Sequence, residues 1–314
     1  MREIRLTLRF HYKKEIKMDP TLHFDGPVWR PPYEATSQLL QVTAGCTWHR
    51  CKFCTLYGTH KFRLSPLSEI EHDLRVIHAY QPRAHRIFLT GANPFVLAVS
   101  KLIDIAFLIR KYVGEGRPTI GCFARITDIR GKSVEELRQL RHLGFDYLTI
   151  GVENGDTETL GRVNKGYTAG DIVEQCQKLE AADIHYNFFY LVGLAGRGNG
   201  QQNVIRSAEV FNQLHPASIG FLSLTLFPES VLYQEIQQGT YQEATEHERL
   251  DEMITLVERL RCVTHILGRT VSNPVPFTGA LPADRATLLH DLHTAKASFS
   301  EEQLRRYRDS IESL

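Results

Sequence analysis

Short apolar runs alternate with amphipathic stretches along residues 38–227. The apolar runs are rich in β-branched and aromatic residues, and their length is that of a buried strand rather than a helix. Six strands are predicted in this way: Gln38–Thr43, Arg86–Thr90, Thr119–Phe123, Tyr147–Val152, Tyr186–Val192 and Ile219–Leu226. Because a helical segment separates each strand from the next, the pattern predicts a parallel sheet with right-handed crossovers.

Three unusual loops directly follow predicted strands. A loop with three cysteines follows the first strand, a small and polar cluster at residues 91–94 follows the second, and residues 153–155 follow the fourth. Six β/α units form either a doubly wound sheet or a curled, incomplete barrel, and a barrel gathers its reactive residues on the loops after the strands. We therefore predict an α/β fold with a partial (β/α)6 TIM-like barrel over residues 38–230 and one active site on its rim.

The two ends of the chain depart from this alternation. Residues 1–37 contain several prolines and are expected to form an N-terminal extension that wraps the barrel. Residues 231–314 are expected to form a C-terminal helical and irregular segment that covers it. Its helical stretches are predicted at 244–262 and 284–297, with an irregular stretch at 267–282 between them.

Helix ends are indicated by local sequence. In a capping box, a serine hydroxyl and a later Glu or Gln side chain satisfy backbone amides that have no helical partner. Such boxes are predicted at Ser68–Glu71, Ser133–Glu136 and Ser300–Gln303. Gly144 stands where a helix C-cap is expected.

Three cysteines, Cys46, Cys51 and Cys54, lie in one short stretch. Four cysteines ligate a [4Fe–4S] cube completely, so three leave one iron open to another ligand. An open iron predicts chemistry at this loop rather than a structural staple.

Two other readings of the cysteine loop stay open on spacing alone. Zinc accepts three cysteines and one histidine in a closed site, and His49 lies inside the loop. Cys51 and Cys54 also have the spacing of a thioredoxin-like redox pair, although that would leave Cys46 unexplained.

Composition and charge exclude several classes of partner. A net charge of +1 provides no field for bulk nucleic acid or an acidic membrane. No apolar run reaches the roughly 18–20 residues that cross a bilayer, and the N-terminus has no signal-peptide stretch. The other cysteines, Cys122, Cys176 and Cys262, are scattered and are expected to be reduced thiols. A cytoplasmic location is predicted.

With these residues in view, the chain resembles the radical S-adenosylmethionine (SAM) enzymes, in a branch with four rather than three residues between the first two cysteines. The resemblance covers about residues 28–295. Tyr147–Gly155 and Val163–Thr168 resemble the fourth-strand signature of coproporphyrinogen-dehydrogenase-like members. Further similar runs are Arg30–Glu34 followed by Leu39–Gly45, then Phe88–Pro94, and Ser272–Pro274 followed by Gly279–Asp284.

The resemblance implies that Cys46, Cys51 and Cys54 ligate a [4Fe–4S] cluster and that SAM fills the fourth iron. One electron from the reduced cluster then cleaves SAM into methionine and a 5′-deoxyadenosyl radical, which abstracts hydrogen from the substrate. A flavodoxin- or ferredoxin-type electron donor is also implied.

Seven residues are implied by the resemblance as SAM contacts: Phe53, Gly91, Ala92, Asn93, Arg125, Glu153 and Lys165. Phe53 is expected near the adenine, the loop at 91–93 near the methionine amino group, and Glu153 near the ribose. Lys165 and Arg125 compete for the SAM carboxylate. The alternative for each is an ordinary structural role in packing, in a turn or as a solvated charge.

The predicted function is a radical SAM enzyme acting on a small-molecule substrate. A second cluster is not expected because the remaining cysteines are scattered, and residues 1–37 are too short for a cobalamin-binding domain. His265, Arg269 and Asn273 are expected either to touch substrate or simply to pack. The alternative function is a non-catalytic metal protein, with a structural zinc site or an iron–sulfur sensor.

Overall fold

The computed structural model describes residues 22–26, 28–58 and 60–313. Most of the predicted extension, including Pro20 and Pro27, lies outside the described residues.

An eight-stranded sheet forms the centre of the described part of the chain, in the order β1-β4-β5-β6-β7-β8-β9-β10. All neighbouring strands are parallel except β9 and β10. The strands of this sheet are β1 (Gln38–Gln41), β4 (Arg86–Thr90), β5 (Thr119–Ala124), β6 (Phe145–Glu153), β7 (His185–Val192), β8 (Ser218–Ser223), β9 (Thr264–Leu267) and β10 (Thr278–Leu281). A small antiparallel pair is formed by β2 (Thr43–Ala44) and β3 (Arg63–Leu64).

Nine helices lie between strands of the described part of the chain, and two more follow the last strand. They are α1 (Leu67–Tyr80), α2 (Val99–Val113), α3 (Ile126–Arg130), α4 (Val134–His142), α5 (Thr157–Arg162), α6 (Ala169–Ala181), α7 (Gly200–Phe211), α8 (Val231–Gln237), α9 (Glu246–Arg259), α10 (Arg285–Ser298) and α11 (Glu301–Asp309). The strand side chains that face these helices, such as Leu89, Ile150 and Phe188, are fully buried. The predicted α/β fold with an incomplete barrel is thus confirmed, and no closed barrel is formed by the described residues.

The first and last predicted strands are shorter than expected. The chain leaves the sheet after Gln41, and Thr43 pairs instead with Leu64 of β3. The sixth strand ends at Ser223 rather than Leu226. Arginine side chains of the C-terminal segment, Arg249 and Arg308, donate to the Leu224 carbonyl and so end the strand pairing there.

The sheet continues into the C-terminal segment. The stretch at 267–282, predicted as irregular, contains β10, and β9 precedes it. β9 is parallel to β8 and antiparallel to β10. In β9 only Ile266 and Leu267 are apolar, and so short a run carries too weak an alternation to be recognised in the sequence.

The end of the extension contacts the sheet near the start of β4. Arg86, at the start of β4, forms an ion pair with Glu34 at 2.5 Å and a second one with Asp146. Glu34 is 5% exposed. Beside it, the hydroxyl of Tyr33 lies 2.8 Å from Thr149 Oγ1. These contacts fix residues 33 and 34 of the extension to β4 and β6.

A buried ion pair attaches the last helix. Arg308 of α11 and Glu246 of α9 are each 2% exposed and are joined through two hydrogen bonds, the longer of 2.7 Å. Arg308 also donates to Thr225 and to the Ser272 carbonyl. No described helix is both long and apolar enough to cross a membrane.

Two of the three predicted capping boxes form. The Ser133 and Ser300 side chains each accept a hydrogen bond from the backbone amide three residues later. The Glu136 and Gln303 side chains in turn accept from the backbone amides of Ser133 and Ser300. Gly144 follows α4 with φ +109°, as a C-cap glycine does. The predicted box at Ser68 was wrong. Helix α1 begins at Leu67 with Pro66 as its N-cap, so Ser68 lies inside the helix and does not cap it. Glu71 instead pairs with Lys111 and Arg75 on its surface.

This difference gives a matched test. Replacing Ser133 with alanine should lower the free energy of unfolding by about 1 kcal/mol, since the first turn of α4 loses its cap. The same change at the exposed, uncapping Ser68 should leave stability unchanged or raise it slightly, because alanine favours a helix interior. Urea unfolding of both variants measures the difference. Equal losses would contradict the capping assignment.

Candidate active site

The cysteine loop is fixed to the barrel rim at three points. The Lys52 amide donates to the Val163 carbonyl at 3.0 Å, and the Leu232 amide donates to the Lys52 carbonyl at 2.8 Å. The Trp48 indole donates to the Asn164 carbonyl at 2.7 Å. The loop therefore lies between the end of α5 and the start of α8.

The three thiols influence one another electrostatically. Burial raises the pKa of Cys51, while the nearby Lys165 and Arg125 cations oppose this shift. Burial also raises the pKa of Cys54, to about 11, and the Cys51 and Cys46 thiols add to it. Thiols that would repel one another as thiolates suit a bound cationic centre, which removes both the burial cost and the repulsion.

Within the described ranges, no three His, Cys, Asp or Glu side chains stand close enough around one point to hold a single metal ion. Zinc would draw its thiolates to about 4 Å from one another, given Zn–S bonds of about 2.3 Å in a tetrahedron. A cluster of several irons presents its ligands farther apart. The three cysteines offer the thiolate donors that an iron–sulfur cluster takes.

His49 is hydrogen-bonded to the backbone of the cysteine loop. It is exposed, has φ +51°, and its Nε2 accepts from the Cys46 amide at 3.3 Å. The ring thus shapes the turn of the loop.

This placement predicts that His49→Ala leaves iron content unchanged within error after reconstitution. Loss of one backbone hydrogen bond at the surface should lower stability by only about 1 kcal/mol. Iron and zinc analysis of the wild type and the variant measures it. Loss of metal in the variant would restore His49 as a fourth ligand.

The loop after β4 approaches the cysteine loop closely. Gly91 has φ +125°, and a Cβ there would overlap Thr43, so only glycine fits. The Ala92 amide donates to the Gly45 carbonyl at 3.3 Å. Asn93 is fully buried; its amide group donates to Thr47 Oγ1 at 2.8 Å and to the Asp128 carboxylate at 3.1 Å.

The Asn93 side chain therefore braces the cysteine loop against α3. Burial raises the pKa of Asp128 to about 6, against the opposing effect of its hydrogen bonds. Since the Asn93 amide is fully used within the chain, the backbone of this loop, rather than the Asn93 side chain, is what remains to meet a ligand.

Glu153 and Lys165 form an ion pair at the end of β6. Their charged atoms are 3.0 Å apart, and the side chains are 16% and 6% exposed. Glu153 has φ +60°, a conformation that costs a non-glycine residue energy and is concentrated at functional sites. Burial acts against the charge on Lys165, yet Glu153 keeps the pKa of Lys165 above its ordinary value.

Lys165 also contacts the cysteine loop. Its Nζ lies 5.5 Å from the centre of the Phe53 ring. The predicted adenine and carboxylate contacts thus adjoin each other beside the thiols.

Arg125 stacks on the cysteine loop from the end of β5. Its guanidinium lies 4.8 Å from the Trp48 ring centre, and its Nη2 donates to the Lys165 carbonyl. Its Nε is buried and has no partner within the protein. A donor left in this way is available to an anionic ligand.

The turn after β7 is a part of the rim that the sequence analysis did not single out. Gly193 and Gly196 both have left-handed φ values, +83° and +82°. The Gly193 amide donates to Glu252 at 2.9 Å, and Tyr241 donates to the Gly193 carbonyl at 3.2 Å. Two glycines directly after a predicted strand were the signal available in the sequence.

Glu252 makes stability depend on pH. Burial raises its pKa to about 7 from an ordinary value of 4.5. Between those values the folded chain holds a proton that the unfolded chain loses, so the free energy of unfolding should fall as pH rises from 4.5 to 7. The slope from one group is at most about 1.4 kcal/mol per pH unit. Asp128, with its pKa of about 6, adds a slope of the same sign at lower pH. Denaturant unfolding between pH 6 and 7 should therefore show the slope lost in Glu252→Gln but kept in a variant of the exposed Glu258.

The three C-terminal residues considered as substrate contacts differ in their burial. Asn273 is 3% exposed and uses its side chain on Ser223 and on the carbonyls of Phe221 and Gly268, so it packs rather than binds. His265 and Arg269 are exposed. His265 is paired with Ser218 of the neighbouring strand and thus lies near the amino end of β8, away from the cysteine loop.

Known proteins match this arrangement. The family model "Radical SAM superfamily" matches residues 40–207, more than half of the chain. The heme chaperone HemW of Buchnera aphidicola is 20% identical over 62% of this chain, and the match spans 52% of that protein. The chain thus spans about half the length of this curated relative.

Two solved structures share the fold at low identity. The radical SAM methyltransferase TsrM from Kitasatospora setae, bound to cobalamin and a [4Fe–4S] cluster, superposes with a TM-score of 0.54 and 19% identity, covering 65% of this chain and 39% of TsrM. Coproporphyrinogen III oxidase (HemN) from Escherichia coli gives 0.52 and 15%, covering 71% and 51%.

The family, its [4Fe–4S] cluster and its use of SAM, all predicted from the cysteine loop and the fourth-strand signature, are confirmed at the level of the family. The cysteine loop at 46–54 and the rim residues Asn93, Arg125, Glu153 and Lys165 all lie inside the matched residues. The chain belongs to the radical SAM superfamily.

Proposed function

We propose that this chain reductively cleaves SAM at a [4Fe–4S] cluster held by Cys46, Cys51 and Cys54. The resulting 5′-deoxyadenosyl radical would then abstract hydrogen from a small-molecule substrate. The observation that carries the proposal is the position of the three interacting thiols on the rim, directly beside the buried Glu153–Lys165 pair. When bound, the cluster and SAM supply the one-electron cleavage and the hydrogen abstraction.

The chain itself supplies binding and orientation. Lys165 and the unpartnered Nε of Arg125 offer positive charge for the SAM carboxylate, and Glu153 offers a carboxylate for its ribose hydroxyls. Phe53 gives an apolar face next to Lys165, and the backbone at Gly91 and Ala92 is narrow enough for close approach. Burial of these groups strengthens each interaction.

We further propose a flavodoxin- or ferredoxin-type electron donor, a small-molecule rather than nucleic-acid substrate, and a cytoplasmic location. The net charge of +1 supports a small-molecule rather than a nucleic-acid substrate. All six cysteines lie in the described residues and are free thiols, which supports a reducing compartment.

The test is anaerobic reconstitution with iron and sulfide, followed by SAM and dithionite. Formation of 5′-deoxyadenosine is the expected result. A protein that takes up iron, binds SAM and yet releases no 5′-deoxyadenosine, with or without a candidate substrate, would overturn the proposal in favour of a sensor.

A further inference from the structure

Asp128, in the first turn of α3, joins the loops after two neighbouring strands. The residue is 5% exposed. One oxygen of its carboxylate accepts from the Arg125 amide at 2.8 Å, and the two oxygens lie 3.1 and 3.2 Å from the side-chain nitrogen of Asn93. Arg125 directly follows β5, and Asn93 lies in the loop after β4. One buried carboxylate thus fixes the two loops to each other.

Asn93 extends this connection to the cysteine loop. Its Nδ2 also donates to Thr47 Oγ1 at 2.8 Å, and its Oδ1 accepts from the Thr47 amide at 3.3 Å. Thr47 directly follows Cys46 in the chain. Because a carboxylate can only accept, Asp128 requires the NH2 group of Asn93 to face it. Asp128 therefore determines how Asn93 holds the cysteine loop.

A second route joins Asp128 to the same loop. Asp128 holds the Arg125 amide, and the Arg125 guanidinium lies 4.8 Å from the ring centre of Trp48. Trp48 is the next residue after Thr47. The contacts therefore close a ring, here called the rim ring, of five residues: Thr47, Asn93, Asp128, Arg125 and Trp48.

Helix capping explains only one of the Asp128 contacts. As the third residue of α3, Asp128 accepts from the amide of the N-cap, as Glu136 does in α4. A cap needs no partner outside its helix, yet Asp128 also accepts from Asn93, 35 positions earlier. Burial of a carboxylate is costly, and the Arg125 and Lys132 cations oppose the rise that burial causes in the pKa of Asp128. These features indicate a role beyond the cap.

We infer that Asp128 is a positioning residue, whose carboxylate holds the cysteine loop and the Arg125 guanidinium at a fixed spacing so that a ligand at the cluster meets both. Asp128 acts through Asn93 and Arg125. The identity of that ligand as SAM rests on the proposed function. The fixed spacing rests only on the contacts of the rim ring.

Asp128→Asn opens the rim ring with little change of shape. Asparagine has one acceptor oxygen, and its NH2 group would face either the Arg125 amide or the NH2 group of Asn93, so one donor loses its partner. The swapped pair, Asn93→Asp with Asp128→Asn, restores the contacts. The NH2 group at position 128 then donates to the carboxylate at position 93, which accepts from the Thr47 amide and hydroxyl.

Trp48 reports on the rim ring without a cluster. In a Trp29→Phe background it is the remaining one of the two tryptophans of the chain. The full-length, metal-free protein is studied at about pH 8, where the Asp128 carboxylate is ionised. Asp128→Asn should raise the rate constant for quenching of Trp48 fluorescence by acrylamide, and the swapped pair should return it to the starting value.

SAM affinity after anaerobic reconstitution is the second readout. Asp128→Asn should keep its iron, since no cysteine is changed, but should bind SAM about ten-fold or more weakly because a charged contact is misplaced. The swapped pair should recover the affinity. Thr47→Val, at an exposed position, leaves the cap of α3 intact and should move both readouts in the same direction. If Asp128→Asn fails to fold, Thr47→Val and the swapped pair decide.

Ser300→Ala is the control for a general loss of stability. It removes a comparable cap from α11 in the C-terminal segment and should change neither readout. The inference is overturned by equal quenching of Trp48 in the wild type and Asp128→Asn, or by a swapped pair that restores neither readout. It is also overturned if Ser300→Ala weakens SAM binding as much as Asp128→Asn. A wild type that binds no SAM would contradict the proposed function, while the quenching of Trp48 still tests the positioning role.

Discussion

Replacing Cys51 with alanine should abolish cluster assembly and reduce 5′-deoxyadenosine formation to background. Cys51 lies between Cys46 and Cys54 in the loop, and the Lys165 and Arg125 cations oppose the rise of its pKa that burial causes. With two thiols left, the cube loses a third of its protein ligands, and metal binding falls with ligand number. Iron and sulfide content, the visible absorption of the cluster and product formation are the measurements.

The matched control is Cys262→Ala. Cys262 is a free, half-buried thiol in the C-terminal segment and takes no part in the rim. The Cys262→Ala variant should keep full iron content and full 5′-deoxyadenosine formation. If Cys51→Ala retains the cluster, or if Cys262→Ala loses it, the ligand assignment is wrong.

The second large effect is expected at the Glu153–Lys165 pair. Lys165→Met should weaken SAM binding by about 1–3 kcal/mol, since a buried charged hydrogen bond to the ligand is lost. Glu153→Gln should weaken SAM binding by a similar amount, because the proposed contact of its carboxylate with the ribose hydroxyls is lost. Each single change also leaves a buried charge unpaired, which by itself can cost about 3–5 kcal/mol of stability.

A double-mutant cycle separates the two roles of this pair. The double variant Glu153→Gln, Lys165→Met leaves no unpaired charge, so its stability should recover relative to the single variants. Its SAM affinity should not recover, because both ligand contacts are gone. Equilibrium dialysis of SAM under anaerobic conditions, beside denaturant unfolding, measures both quantities. Recovery of SAM affinity together with stability would show that the pair is purely structural.

The parallel core of the fold was predictable because its strands are buried on both faces. Arg86–Thr90 was predicted with the bounds the structure shows, and the strands ending near Val152 and Val192 were predicted within a few residues. Such strands read as continuous apolar runs, and the helices between them carry caps such as Ser133.

The C-terminal part was less predictable because its stability comes from distant pairs. Nothing local marks Arg308 as the partner of Glu246, 62 positions earlier, or Glu252 as the acceptor for Gly193. The strands β9 and β10 exist because their neighbour β8 offers an edge, which is tertiary information.

The candidate site shows the same division. The cysteine spacing and the Glu153–Asn154–Gly155 turn were visible in the sequence. The use of Asn93 to brace Thr47 and the stacking of Trp48 on Arg125 were not, since each contact joins loop residues that are far apart in the chain.

The order of the strands in the sheet, which follows the order of the chain, has a consequence for synthesis. Each β/α unit that leaves the ribosome can add to a neighbour that is already folded, so sheet growth needs no later rearrangement. The cysteine loop belongs to the first unit, yet its anchors, the Val163 and Asn164 carbonyls, emerge more than a hundred residues later. During that interval the three thiols stay uncovered on the nascent chain, open to oxidation and to stray metal ions.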